Sequence, residues 1–159
     1  MVKKNKQGFS LVELIIVIAI MAILTGLMGL GFGYLRTADS KGVAYGINSG
    51  LSDLKSRTMA KSEAVYMHLV ERDGNYYLNY TDSEDALSES EGLGEKIGSS
   101  AVEVKCDGTE LPAEGDVCFA IRRKDGAFTK GPEKIEVTAT NGSKYIVYLV
   151  KSTGRHYVE

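Results

Sequence analysis

The chain has 159 residues, 25% charged and 43% apolar, which suits one modest domain with an appendage and leaves two full domains cramped. Its formal net charge is −2; without Lys3, Lys4 and Lys6 the remainder carries 16 basic against 21 acidic side chains, a balance of −5. A body of that sign is no obvious partner for nucleic acid or an anionic lipid surface.

Residues 1–8 form a short basic leader. From Leu14 to Leu35 the chain runs for 22 residues without a charge. As a helix rising about 1.5 Å per residue, such a run reaches roughly 33 Å, enough to cross a bilayer core. The lysines before it mark the cytoplasmic side and place the rest of the chain outside. A secretory signal peptide fits poorly, because its apolar core is shorter and ends in a small-residue cleavage site that is missing here. Gly26, Gly29, Gly31 and Gly33 crowd the second half of the run. Each costs a helix interior about 1 kcal/mol relative to alanine. The cluster suits close packing of membrane helices, and equally a local unwinding.

Beyond Arg36 the pattern becomes amphipathic. Val43, Ile47, Leu51 and Leu54 make one stripe at helical spacing, with Asp39, Lys41, Asp53 and Lys55 opposite. Gly42, Gly46 and Gly50 recur every four residues on one face, suited to close approach of a sheet or another subunit. The helix is expected to end near residues 61–63. Strands are then expected at 65–70 and 76–80, flanking Asp73-Gly74, a type I′ hairpin signal. Residues 82–95 are acidic and rich in serine and glycine, and read as an exposed loop without the spacing of a calcium-binding hand. Further strands are expected at 101–106, 117–123, 135–140 and 145–150, the last two flanking Asn141-Gly142. A short one closes the chain.

Cys106 and Cys118 follow the apolar run, in a compartment that permits a disulfide, which would close a short loop containing Asp107-Gly108 and Pro112. The alternative is two small buried thiols. A zinc site is not expected, since no second ligand pair exists. No cofactor and no catalysis are expected: the two histidines, His68 and His156, stand outside any nucleophile, phosphate-loop or metalloprotease pattern. Arg122-Arg123-Lys124, with Lys130, Lys134, Lys151, Arg155 and His156, offers a speculative ligand patch; the plainer reading is edge cations that discourage aggregation.

One junction stands apart. Gly8-Phe9-Ser10-Leu11-Val12-Glu13-Leu14-Ile15 sets a carboxylate one residue before the long apolar run, a placement that is costly and usually functional. Ser10 to Glu13 also reads as a capping box, and Glu13 complements the helix dipole. The string from Gly8 through Ile20 resembles the signal of type IV pilins and type II secretion pseudopilins, over about 25 residues. The resemblance implies cleavage after Gly8 by a membrane prepilin peptidase, N-methylation of Phe9, and an assembly role for Glu13. It implies an α+β fold, with a long N-terminal helix packed on an antiparallel sheet of roughly four to six strands. The expected division is a leader at 1–8, a transmembrane and assembly helix at 9–35, an amphipathic helical half at 36–63, and an extracytoplasmic β-rich domain at 64–159. The implied partners are the peptidase, an assembly-platform membrane protein and sister subunits, with the membrane as host before assembly. Lys61-Ser-Glu-Ala-Val-Tyr66 and Thr153-Gly154-Arg155 are similar to segments of H-type minor pseudopilins and related minor pilins. Since some minor pilins take up DNA, DNA is the alternative partner, at Arg122, Arg123 and Lys124. One departure is that many pilins carry a proline near the position of Leu30, whereas this chain has none before Pro112.

Overall fold

The computed structural model describes residues 11–61, 63–87, 92–99, 101–111 and 115–159, and residues 26–38 as helical backbone alone. It is an α+β protein. Helix α1 runs Leu11–Ala60. Ten strands follow: β1 Tyr66–Arg72, β2 Asn75–Thr81, β3 Glu95–Ser99, β4 Val102–Cys106, β5 Thr109–Glu110, β6 Asp116–Ile121, β7 Phe128–Lys130, β8 Lys134–Ala139, β9 Lys144–Val150 and β10 Arg155–Val158. The chain divides into two compact units after Leu35.

In the first unit the helix is rich in leucine, isoleucine, methionine and alanine, most of them good helix formers. It continues without a break through Gly26, Gly29, Gly31 and Gly33. Its described large apolar side chains are exposed, Leu11 to 77%. Thr25, the one hydroxyl among residues 11–25, returns its proton to the carbonyls of Met21 and Ala22 at 2.7 and 3.1 Å. A hydroxyl satisfied within its own helix needs no water.

In the second unit Val43, Ile47, Leu51 and Leu54 are fully buried, so the expected stripe is the core face of the helix. The glycine face divides. A Cβ on Gly50 would come 2.5 Å from Leu78 Cδ1 and one on Gly46 3.0 Å from Ile97 Cβ, whereas Gly42 has nothing within 4 Å. The physical reason is drift: four residues turn about 400°, so each glycine sits roughly 40° round from the last.

The single sheet expected from the strand pattern is two five-stranded antiparallel sheets, ordered β3-β2-β1-β6-β7 and β10-β9-β8-β4-β5. The chain enters the second sheet at β4, returns to the first at β6 and leaves it again at β8. Both sheets and the helix stripe contribute to one apolar cluster, which includes Met67, Leu69 and Phe119 from the first sheet and Ile135, Val137 and Val147 from the second. The Tyr76 hydroxyl donates to Val102 O at 3.2 Å and the Phe128 amide to Lys151 O at 2.9 Å, tying the sheets together.

The turns follow local chemistry. Asp73 and Gly74 take φ of 52° and 68°, the two-residue type I′ geometry. Asp107 and Gly108, at 50° and 84°, repeat it between β4 and β5, so the loop between the cysteines contains a hairpin. The Asn141-Gly142 turn differs, since only Gly142 has positive φ, at 88°. Its amide donates to Ala139 O at 2.9 Å, and the Ala139 amide to Ser143 O at 2.8 Å, a three-residue loop.

Candidate functional site

Glu13 lies exposed in the first turn of α1, where its charge complements the positive end of the helix dipole. It is followed by Leu14, Ile15, Ile16, Val17 and Ile18, whose exposed side chains ring the helix on every side. An isolated helix with that composition has no core of its own to bury against. Gly8, Phe9 and the Ser10 of the capping box lie outside the described residues. Among the described residues, no helix is long and apolar enough to cross a membrane. The 22-residue uncharged run extends through residues 26–35, whose side chains lie outside that description.

The basic triplet does not form one free patch. It sits between β6 and β7. Arg122 pairs with Asp125 at 3.1 Å. Arg123 reaches back to the end of α1 and donates to Thr58 O at 3.0 Å and Glu63 O at 3.3 Å. It satisfies carbonyls that a helix C-terminus leaves without intrahelical partners. Of the other cations named from sequence, Lys130 pairs with Glu84 at 2.6 Å, and Lys134 pairs with Glu136, which Lys144 also meets at 2.7 Å. These two lysines hold the Glu136 carboxyl down to about 2.

Of the two readings of Cys106 and Cys118, a disulfide or two separate thiols, the structure has the second. Both thiols are free, Cys106 on β4 of the second sheet and Cys118 on β6 of the first. Cys106 faces Thr109 and Ile135 across its ladders, while Cys118 faces His68. Burial and the neighbouring Asp107 push Cys106 up to about 11, and burial also raises Cys118. Neither is a ready thiolate nucleophile.

A cleft at the end of α1 is lined by Arg57, Lys61, Glu63, Tyr80 and Asp82. Its principal cation is engaged: Arg57 bonds Asp53 at 2.8 Å and lies 4.3 Å over the Tyr80 ring. The Tyr80 hydroxyl donates to Gly50 O at 3.1 Å, and burial, with Asp53 beside it, pushes it up to about 12. His156 lies 3.0 Å from Ser52 Oγ on the helix and edge-on to Phe128. Burial, aided by the Lys55 charge, lowers its pKa. His68, which stands outside any catalytic sequence pattern, is fully buried and bonded to Asp116 at 3.0 Å. Nothing local signalled that pair, because Asp116 lies on another strand.

No curated protein and no solved structure matches the chain. Residues 3–29 match the prokaryotic N-terminal methylation motif. That stretch contains the Gly8-Phe9 junction, Glu13 and most of the uncharged run, and it identifies the N-terminus as the signal of type IV pilin-like proteins and pseudopilins.

Proposed function

We propose that this chain is a structural subunit of a type IV pilus or a type II secretion-like filament. A membrane prepilin peptidase cuts after Gly8, and the new N-terminus at Phe9 is methylated. Residues 9–35 hold the subunit in the cytoplasmic membrane, with the body outside, until an assembly platform passes it to sister subunits. The observation that carries this reading is the match of residues 3–29 to the methylation motif, with Glu13 at the head of the uncharged run.

The chemistry explains why a carboxylate belongs there. Cleavage frees an α-amino group, and methylation keeps its positive charge while removing donors. Among packed apolar helices an unpaired charge is strongly unfavourable, while a paired one is tolerated. Glu13 of one subunit accepts the ammonium of its neighbour and so selects the axial register. The pair acts as a specificity device more than a source of stability. The short resemblances at residues 61–66 and 153–155 favour a minor subunit.

The test is the mass of the mature N-terminal peptide and the fate of Glu13→Ala. The peptide should begin at methylated Phe9, and the variant should insert in the membrane yet fail to enter filaments. Retention of Met1 and the leader lysines in functional protein, or normal incorporation of the variant, would overturn the reading.

A further inference from the structure

Strand β1 is buried along both faces. Met67 and Leu69 belong to the apolar cluster beneath the helix, but His68 and Val70, equally buried, do not. What covers that second face includes the segment leaving β2. The His68 side chain is fully buried; its Nδ1 lies 3.0 Å from both oxygens of Asp116 on β6, and its Nε2 lies 3.2 Å from the carbonyl oxygen of Ser83. Asp116 Oδ2 also accepts the Leu87 amide at 3.0 Å. Ser83 O also accepts the Thr81 hydroxyl at 2.7 Å, and Glu84 reaches Lys130 at 2.6 Å. Residues 82–87 are therefore fastened across the strand by ties on both sides of one imidazole.

Among the described residues, the atoms within hydrogen-bond distance of its two ring nitrogens are acceptors. A carbonyl oxygen has no proton to give, and an ionised carboxylate has none. A neutral imidazole carries one N–H and can satisfy only one of them. We propose that residues 82–87 form a strap latched to the outer face of the first sheet by a His68 imidazolium, closed while His68 carries both ring protons and loosened when it loses one.

The surrounding charges support the closed state. From β6 come the Asp116 carboxylate and the Cys118 thiol; from the strap, Glu84; from β7, Lys130; from β1 itself, Tyr66; from β2, the uncharged Asn79 opposite His68. Glu84 and Lys130 neutralise each other, and burial keeps the Cys118 thiol protonated. Among the described residues, Asp116 is the anion in direct contact. Burial alone would raise its pKa, but the bonds from His68 and the Leu87 amide and the charges of His68 and Lys130 hold it below the usual carboxylate range. As pH rises past His68's titration, one of its two ties must open. The strap then loses its hold at Ser83 or at Asp116, and the His68 side chain is uncovered. This device belongs to the β-rich body, and its success or failure is independent of N-terminal processing.

The experiment uses the full chain in detergent. The two ring nitrogens of His68 are followed by nitrogen-15 NMR, and amide hydrogen exchange of Asp85 and Leu87 by mass spectrometry, from pH 5 to 9. Both nitrogens should be protonated at pH 7. Exchange at 85–87, corrected for its intrinsic base catalysis, should accelerate roughly tenfold or more as His68 loses a proton, the loss expected for one charge-assisted bond. Asp116→Asn should exchange fast at every pH, while Glu84→Gln should keep the pH step. A neutral His68 at pH 7, or strap exchange that stays flat through its titration, would overturn the proposal. Should Asp116→Asn fail to fold, the wild-type titration alone decides.

Discussion

Arg123 shows how a charged residue can be absorbed by backbone. Its guanidinium is a rigid fork of donors, and two carbonyls at the end of α1 lie within reach of it. Removing it leaves Thr58 O and Glu63 O without that partner, and Thr58 is itself buried. Arg123→Ala should therefore destabilise the body by about 1–2 kcal/mol. Lys124→Ala and Arg122→Ala, on exposed side chains away from such a joint, should stay within about 0.5 kcal/mol. Urea denaturation of the three variants distinguishes a capping residue from a uniform ligand patch, in which the three would behave alike.

Along α1, the three glycines at four-residue spacing are chemically equivalent in sequence and unequal in the fold. Gly42 is exposed with open space around it, so Gly42→Ala should gain up to about 1 kcal/mol of helix propensity. At Gly50 the added methyl would meet Leu78 Cδ1 at 2.5 Å and Met67 Sδ at 3.1 Å, both in the core. Overpacking there costs about 1–3 kcal/mol and outweighs the propensity gain. Opposite signs of the two shifts in thermal midpoint are expected, and equal signs would refute the assigned faces. Gly154 presents a harder constraint. Its φ is +63°, and a Cβ there would overlap the carbonyl oxygen of Gly126. The turn before β10 thus depends on glycine to bring His156 against the helix.

At the scale of the molecule, that docking makes stability depend on pH. The folded pKa of His156 is depressed, first by burial and then by Lys55. A histidine that resists protonation in the fold contributes stability at pH above its unfolded value, about 6.5. That contribution is lost as pH falls from there through the lower folded value. Asp116, also depressed, has its full effect above its ordinary value and loses it as pH falls further. Urea midpoints at pH 7.5 and 5.5 should show a smaller fall for His156→Gln than for the unaltered chain. Identical falls would remove His156 from the account. The Glu136 pairs on the second sheet, whose lysines reach into solvent, should matter little in comparison, since such pairs are screened.

What residues near one another in the chain could dictate was readable from them. The Gly8–Glu13 junction and the uncharged run announce the N-terminal signal that the methylation motif matches. Helical spacing marks the buried stripe from Val43 to Leu54, and Asp73-Gly74 marks a hairpin, because both depend only on local dihedral preferences and side-chain periodicity. Tertiary structure alone decided that the strands divide into two sheets, since alternation states which faces are apolar but not which strands pair. It also decided that Cys106 and Cys118 fall in different sheets, that Arg123 caps a helix 65 positions away, and that His68 meets Asp116 across 48. Each of these depends on chain closure over long separations, which no short window of sequence encodes.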